Sequence, residues 1–390
     1  FQPSLLVSVA CSGWLWMRRK AWWPLGAPVA LMMCGLLCRL GRLALGPMSL
    51  PAGLCSRKDH EARVKRASEF AKRPGPLRMF KATTSHTFRL HQVSNRVQIR
   101  DRLDLSGFVH VLEVNTEELW CDIEACATFE TFVAVALAHG TVPLVIPELR
   151  SITVGGAIVG IGIESSSFRY GFFHDGLIEA DILLASGEVV TVRPTGEHAD
   201  LFRAIPNSLG SFGYLLRLRV RVRRAQPFVQ LKKTWHPSAE DLVRAVTEAS
   251  SSSDVDFVDA VALGDQGGML MTGTFVSQVP AGEVVQSYGA RRAFYQTLPD
   301  EGAECLSTSD YLWRWDADWF WCTQIFPGLT NFIVRFLCGP AYLRSDVYKA
   351  FNDAMVTSFS GPMGLTRDEE LVIQDIVIPV ERSVDWIRSF

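Results

Sequence analysis

The order of its apolar patterns predicts that this 390-residue chain folds into two domains that combine α-helices with β-strands. A chain of this length can bury two hydrophobic cores. Segments with a two-residue period alternate with segments of helical period, and a glycine turn joins two of the strands. We expect an N-terminal leader over 1–56, a first domain over 57–224 and a second domain over 225–390 that continues beyond the last residue.

Composition and charge exclude two broad kinds of partner. The chain is 48% apolar and 21% charged, and its formal net charge of −2 gives no general basic surface for nucleic acid. Its nine cysteines are scattered, without a Cys-x-x-Cys pair, and the chain has no His-x-x-x-His pair. We therefore expect no metal site, and we expect buried, reduced thiols in a body that faces the cytosol.

The leader differs from the rest of the chain in charge, since residues 1–58 contain seven basic residues and no acidic one. A basic cluster at 18–20 precedes Ala21–Cys38, a run of 18 uncharged residues that is about the minimum length for spanning a bilayer. Pro24 and Pro28 would weaken a straight helix there. We predict a single membrane anchor; the alternatives are a cleaved signal or transit segment and an artefactual extension of the gene.

Local signals predict the first elements after the leader. Residues His60–Lys72 are rich in helix formers and predict a short amphipathic helix, and Val109–Val114 predicts a strand. Thr128 is a favourable N-cap for a helix whose apolar residues recur at helical spacing. Gly140 suits the left-handed position that follows the end of such a helix.

Further strands follow along the chain. Ile178–Leu184 and Glu188–Val192 predict a hairpin across the turn 185–187. Leu216–Arg223 alternates apolar residues with four arginines, so we expect one face in the core and the arginines in solvent; attraction of an anionic cofactor is the alternative. In the second domain we expect one helix at Ala239–Ser250, another from Val380 onward, and strands at Phe257–Leu263, Met269–Val276 and Leu371–Pro379.

The stretch Thr153–Gly171 is the most informative part of the sequence. It holds five glycines and a cluster of hydroxyl side chains, shortly after Pro147. Glycine lets a backbone approach a ligand closely, and unpaired N–H groups in such a loop can bind a pyrophosphate. The pattern Gly160-x-Gly162 is no Rossmann fingerprint, because Ser165 occupies the third position and no regular apolar helix follows.

Seven short motifs occur in an order that resembles one oxidoreductase superfamily. They are Pro147-Glu148, Thr153–Gly156, Gly160-x-Gly162, Tyr170-Gly171, Ala185–Val190, Asp200–Phe202 and Gly210–Gly213. Their order and separations resemble the FAD-linked oxidases of the vanillyl-alcohol-oxidase type and, within them, the delta(24)-sterol reductase branch. The resemblance implies an α+β fold, with a two-subdomain FAD-binding domain of the PCMH type and an α+β cap domain with an antiparallel sheet.

The same resemblance implies where the cofactor lies. Non-covalent FAD is expected, because the histidine-bearing loop common in the superfamily is absent and His86 has different flanks. An upstream phosphate segment is expected at Thr84, Ser85 and Thr87, whose hydroxyls suit an anionic group. The other expected FAD contacts are Pro147, Thr153, Val154, Gly155, Gly156, Ala157, Gly160, Gly162, Ile163, Glu164, Ser165 and Gly213.

Reduction of an isolated alkene also requires a proton donor. Gln374 and Asp375 interrupt an apolar strand, where an unpaired carboxylate is costly to bury, and a hydrogen-bonded structural role is the alternative. Tyr170 is a candidate near the flavin loop, and Glu164 and His174 are further ones.

Substrate contacts are expected in an aromatic cluster of the second domain. Trp313, Trp315 and Trp319 are candidates for the wall of a flat hydrophobic pocket, with Arg314 and Asp316 as orienting polar groups. Their spacing does not follow one helical face, so part of the cluster is expected to be core.

The resemblance implies reduction of the delta-24 side-chain double bond of a sterol, with NADPH as the electron donor. The expected setting is a single-pass protein of the endoplasmic reticulum membrane. One alternative is an FAD-linked oxidase or dehydrogenase of an alcohol or sugar-like substrate. Another is a truncated protein that binds FAD without turnover.

Overall fold

The computed structural model describes residues 53–75, 77–81, 102–288, 292–316, 344–346 and 376–389. These residues form two compact units, of which the first ends at Ala225 and the second begins at Gln226. Both units combine helices with largely antiparallel sheets, which confirms the α+β class. The leader's apolar run lies outside the described residues. In the parts of the chain that are described, no helix is both long enough and apolar enough to cross a membrane.

The first unit is a sheet of antiparallel strands with helices around it. Its sheet has the order β3-β4-β8-β6-β7, β5 pairs with the end of β8, and β1 and β2 form a separate parallel pair. The described helices are α1 Arg57–Ala71, α2 Phe129–Ala138, α3 Val154–Gly160, α4 Ser167–Tyr170 and α5 Ala199–Ala204. The strands are β1 Met79–Phe80, β2 Leu103–Asp104, β3 Val111–Asn115, β4 Trp120–Glu124, β5 Thr141–Pro143, β6 Leu177–Leu183, β7 Val189–Val192 and β8 Tyr214–Arg224.

Side-chain caps fix the beginnings of α1 and α2. The hydroxyl of Ser56 accepts from the backbone N–H of Asp59, so α1 begins three residues before the predicted start. The hydroxyl of Thr128 accepts from the N–H of Thr131, and Gly140 lies at φ +68° beyond the end of α2. The prediction for α2 is therefore confirmed at both ends.

The β6–β7 hairpin shows why its turn needs a glycine. Leu183 pairs with Val189 across the turn, as predicted. Gly187 has φ +84°, and a Cβ at this position would lie 2.9 Å from the carbonyl oxygen of Ser68 in α1. The Ser68 hydroxyl also donates to the carbonyl of Gly187 at 2.6 Å. This close approach attaches α1 to the sheet.

The arginines of β8 are not a solvated row, so that expectation is wrong for Arg217. Arg217 is only 7% exposed and pairs with Asp122 at 2.9 Å, Glu179 at 2.7 Å and Asp181 at 2.6 Å. The register explains the cluster, because β8 lies between β4 and β6, whose acidic residues stand beside its arginines. Alternation predicted the common face of the arginines but not the carboxylates of the neighbouring strands.

Substituting Arg217 with Met is expected to destabilise the first unit by about 3 kcal/mol, because it leaves buried carboxylates without a shared cation. Arg221→Met on the same strand is the matched control, since Arg221 is exposed, and a change within about 0.5 kcal/mol is expected. Hydrogen exchange of the β8 amides measures the free energy of opening. Equal effects of the two substitutions would contradict a structural role for the ion pairs.

The fully buried carboxylate of Asp122 has arginines as its charged partners. Burial alone would raise the pKa of Asp122, but hydrogen bonds and charges from Arg219, Arg217 and Arg57 outweigh burial and lower it. The folded pKa therefore lies below the unfolded value of about 3.9. The ionised carboxylate stabilises the fold above that value, and this contribution is lost as the pH falls through the folded pKa.

The Asp122→Asn variant is expected to unfold at lower temperature than the wild type at pH 7. The difference in unfolding temperature between the variant and the wild type is expected to narrow as the pH is lowered from 5 toward 3, because only the wild type has a carboxylate at position 122 that becomes protonated. Thermal unfolding across this pH range tests it, with exposed Glu61→Gln as control. A gap that stays constant with pH would refute the linkage.

The second unit is a sheet with helices on both faces. The strands are β9 Phe228–His236, β10 Phe257–Ala262, β11 Gly268–Val276, β12 Val285–Gln286 and β13 Gly302–Ser307, in the order β10-β11-β9-β13-β12. The described helices are α6 Ala239–Ser251, α7 Thr308–Leu312 and α8 Val380–Arg388. Neighbours pair antiparallel except β12 and β13, which are parallel.

One face of this sheet carries an apolar layer. Buried residues of α6 recur at helical spacing and pack on Ala260, Ala262 and Leu270, with Ile387 of α8 completing the cluster. The predicted helices and the β10–β11 pair are thereby confirmed. The predicted strand Leu371–Pro379 is wrong for its described part, because 376–379 have no regular structure and Ile376 and Val377 are about half exposed. Residues 371–375 lie outside the described part.

Candidate functional site

The first part of the glycine-rich stretch forms a short capped helix, where we expected a loop. The Thr153 hydroxyl accepts from the N–H of Gly156 at 3.3 Å and so caps α3. Val154, Ala157 and Ile158 are buried on one side of the helix at spacings of three and four residues. These two local signals outweigh the low helix propensity of the glycines.

The beginning of α3 is fixed against the chain that leaves β4. The N–H groups of Val154 and Gly155 donate to the carbonyls of Ala127 and Ala125, each at 2.8 Å. A Cβ at Gly155 would lie 2.8 Å from the Ala125 carbonyl oxygen, so only glycine fits without displacement. The first turn of α3 therefore has one position relative to the sheet.

Lys81 reaches the same point from β1. Its Nζ donates to Oγ1 of Thr153 at 3.1 Å, and desolvation by its surroundings lowers the pKa of Lys81. Within the described part of the chain, this is the only hydrogen bond of the ammonium, and no carboxylate pairs with it. The start of α3 thus holds a partly buried cation without an anionic partner.

The residues after α3 close a tight corner. Ile161 has φ +66°, and a Cβ at Gly162 would lie 3.0 Å from the Cβ of Ala157 and 3.3 Å from Cγ of Pro147. The carbonyl of Gly162 accepts from the N–H of Phe173 at 2.9 Å. The structure therefore brings together Pro147, Ala157 and Gly162 of the predicted cofactor contacts.

The serines of this region support the loop itself. The hydroxyl of Ser166 donates to the carbonyl of Leu144 at 2.8 Å, and that of Ser167 accepts from the N–H of Glu164 at 3.1 Å. Ser165 is buried. Of the predicted contacts here, Ile163 and Glu164 remain partly exposed.

The candidate proton donors of this unit have different surroundings. The guanidinium of Arg223 lies 5.1 Å from the ring centre of Tyr170. The ring of His174 stacks on Phe172 at 5.3 Å, and its Nδ1 is buried without a hydrogen bond within the described residues. Burial lowers the pKa of His174 against the opposing charge of Asp175, so the imidazole is neutral near pH 7.

Gly213 lies at a strand junction. It has φ +147°, and a Cβ there would lie 2.6 Å from the carbonyl oxygen of Leu183 in β6. The loop before it is attached to α3, because the N–H of Leu209 donates to the carbonyl of Val159 at 2.9 Å. Leu209 and Phe212 are 78% and 51% exposed, so this loop presents an apolar tip beside α3.

The tryptophan candidates of the second unit lie in its core. Trp313 and Trp315 are 7% and 5% exposed, and the indole N–H of Trp315 donates to Asp259 at 3.0 Å. Arg314 pairs with the same carboxylate at 2.9 Å. This burial favours the core alternative for both tryptophans, and their contact with substrate stays a prediction. The remaining predicted site residues lie outside the described part: Thr84, Ser85, Thr87, Trp319, Gln374 and Asp375.

The N–H groups of Val154 and Gly155 are bonded to protein carbonyls, so Lys81 is the group at the start of α3 that suits an anionic dinucleotide. A pyrophosphate requires donors and positive charge, and the Lys81 ammonium supplies both. Gly160, the last residue of α3, has open space on its Cβ side, so the backbone is accessible at that end of the helix. The hydroxyl of Ser151 is buried without a hydrogen-bond partner in the described chain. When bound, FAD would supply hydride chemistry at its ring system.

Comparison with known proteins defines the class of this domain. Residues 57–193 match the FAD binding domain family, which covers α1 to β7 and the glycine-rich stretch. The first unit therefore contains an FAD binding domain, and the resemblance to the FAD-linked oxidases is confirmed.

Individual relatives give a finer comparison. The chain is 29% identical over 300 residues to a delta(24)-sterol reductase of Macaca fascicularis, covering 73% of this chain and 55% of that protein. It is 28% identical over 317 residues to a delta(24)-sterol reductase of Arabidopsis thaliana, covering 73% and 54%. Cytokinin dehydrogenase 10 of Oryza sativa subsp. japonica is 30% identical over 162 residues, covering 40% and 28%. The chain spans about half the length of the reductases it matches.

Sequence reasoning missed Lys81. The signal for it is a lysine that directly follows a short apolar strand and precedes the hydroxyl-rich segment Thr83–Thr87. Its importance depends on the distance to Thr153, 72 residues further on, which no local pattern reveals.

Replacement of Gly155 by Ala is expected to destabilise the first unit by about 1–3 kcal/mol, because the new methyl group must displace the Ala125 backbone. Gly160→Ala is the matched helical control. It meets open space and is expected to leave stability unchanged or raise it by up to about 1 kcal/mol. Thermal unfolding of both variants without cofactor tests this, and equal destabilisation would show that the Gly155 contact is unimportant.

Proposed function

We propose that this protein is an FAD-dependent oxidoreductase that reduces the delta-24 side-chain double bond of a sterol, with NADPH as electron donor. The observation that carries the proposal is the extent of similarity to the sterol reductases. It covers 300 residues, whereas the FAD binding domain match ends at residue 193. The similarity thus continues into the second unit.

The first unit provides a consistent cofactor site for this activity. Gly160 at the end of α3 leaves open space, the Thr153 hydroxyl accepts from Lys81, and the segment from Pro147 to Gly162 forms one side of the corner. We propose non-covalent binding in a two-subdomain domain of the PCMH type, with Thr84, Ser85 and Thr87 as further phosphate donors.

We assign proton delivery to the candidate proton donors that were identified from the sequence. Tyr170, Glu164 and His174 lie in or directly after the glycine-rich stretch, and Gln374 and Asp375 belong to the second domain. A neutral His174 with an unpartnered Nδ1 in the described structure has the hydrogen-bonding capacity for such a role.

The proposed setting is a membrane, where a sterol is dissolved. The uncharged run Ala21–Cys38 has about the minimum length for a single anchor in the endoplasmic reticulum. Such an anchor would keep a cytosolic catalytic body close to its substrate.

The protein purified with FAD is expected to lose its visible flavin absorbance when NADPH is added without oxygen. Addition of a sterol with a double bond at carbon 24 is expected to restore the absorbance and yield the saturated side chain, measured by mass spectrometry. A sterol saturated at that position is the control and should leave the spectrum unchanged. Bleaching by NADPH without sterol turnover would contradict the proposed substrate.

One alternative reverses the direction of electron flow. Cytokinin dehydrogenase 10 is similar over 162 residues, so the FAD half alone is compatible with a dehydrogenase. Bleaching by an alcohol or sugar, with no response to NADPH, would favour this alternative. A protein that binds FAD and responds to neither donor would be a binding protein without turnover.

A further inference from the structure

The face of α1 that lies opposite the sheet is basic. Ala67 and Ala71 of this helix are buried in the apolar cluster that also contains Leu216 of β8. Successive residues of an α-helix are turned by about 100°, so lysines spaced by seven residues share one face, and here that face is opposite the buried alanines. The exposed basic residues of this outward face, counting the two that follow the helix, are Lys58, Lys65, Arg66, Lys72 and Arg73.

These five cations lack the carboxylate partners that two other arginines of α1 have. Arg57 pairs with Asp122 at 2.5 Å, and Arg63 pairs with Glu124 at 2.7 Å. In the parts of the chain that the structure describes, none of the five is ion-paired with a carboxylate. The acidic residues on or beside the outward face are Asp59, Glu61 and Glu69, so positive charge remains in excess there. The fold itself therefore leaves this basic face open to an anionic partner.

The position of α1 in the chain indicates which anionic partner fits. The segment 39–56 separates α1 from the predicted anchor Ala21–Cys38, and it contains Arg39 and Arg42 but no acidic residue. A segment of this length reaches at most about 60 Å when fully extended. An anchor in the bilayer would therefore keep the outward face of α1 within reach of the lipid headgroups.

We propose that the outward face of α1 binds the anionic headgroups of a membrane surface. Charge complementarity carries this inference, because a cluster of lysines and arginines close to a membrane anchor attracts anionic lipids such as phosphatidylserine. The exposed side chains hold no ion pair in the described structure that would have to break first. The inference extends the proposed membrane setting and is independent of FAD and of the sterol substrate.

The test measures how fast individual lysines of the full chain are acetylated in the presence of lipid vesicles. Vesicles of phosphatidylcholine are compared with vesicles of about two parts phosphatidylcholine to one part phosphatidylserine. The anionic vesicles are expected to slow acetylation of Lys58, Lys65 and Lys72 roughly fivefold, the effect of one basic side chain held at an anionic surface. Lys232, an exposed lysine of the second unit, is the internal control and should react equally fast with both.

Two charge variants separate the outward face from the charge of the whole protein. The first combines Lys58→Gln, Lys65→Gln and Arg66→Gln. The matched control combines Arg102→Gln, Arg221→Gln and Lys232→Gln, which remove the same charge from exposed positions elsewhere. The first variant is expected to lose the protection of Lys72 by anionic vesicles, and the control is expected to keep it. Both are expected to unfold at the wild-type temperature, because the substituted side chains are exposed.

Equal acetylation rates of the α1 lysines with both kinds of vesicle would overturn the proposal. Protection that persists in about 1 M salt would also overturn it, because salt at this concentration screens contacts between exposed charges. Protection by a DNA duplex but not by anionic vesicles would assign the face to nucleic acid instead. Flotation of the full chain with phosphatidylcholine vesicles tests the anchor separately, so failure of the anchor and failure of the α1 contact are distinguishable.

Discussion

The geometry of the first unit depends on one backbone contact, the pairing of the start of α3 with the chain beyond β4. Val154 and Gly155 donate to carbonyls of that segment at 2.8 Å, and Thr153 bridges to Thr128. This pairing requires that residue 155 has no side chain. With α3 fixed, the Thr153 hydroxyl is positioned to cap the helix and to accept from Lys81, and the corner at Gly162 follows two residues after the helix end.

Arg217 and Lys81 of this unit differ in whether an anion of the protein neutralises them. The buried Arg217 is surrounded by carboxylates of adjacent strands, so its positive charge is neutralised within the fold. Lys81 has no such partner among the described residues. Loss of Arg217 would therefore leave carboxylates buried without a counter-charge, whereas loss of Lys81 would remove a cation that no described carboxylate pairs with.

Local sequence signals were sufficient for elements whose ends carry their own chemistry. The cap at Thr128, the turn at Gly187 and the alternation of β8 predicted α2, a hairpin and a strand, as the structure shows. The burial of Arg217 was not predictable, because it depends on which strands flank β8. The motif order identified a stretch that lies within the FAD binding domain match, whereas the contact of Lys81 with Thr153 joins residues 72 positions apart.

The glycine-rich motif serves two purposes that its sequence does not separate. Gly155, Gly162 and Gly213 each face protein atoms closer than an added Cβ allows, so packing explains them without a ligand. The hydroxyls of Ser166 and Ser167 are engaged with the loop itself. The N–H groups of Val154, Gly155 and Gly156 are also bonded to protein acceptors, so these polar groups of the motif hold the loop in shape. Gly160, by contrast, has no described atom outside its own helix within 4 Å of an added Cβ, so packing does not explain that glycine.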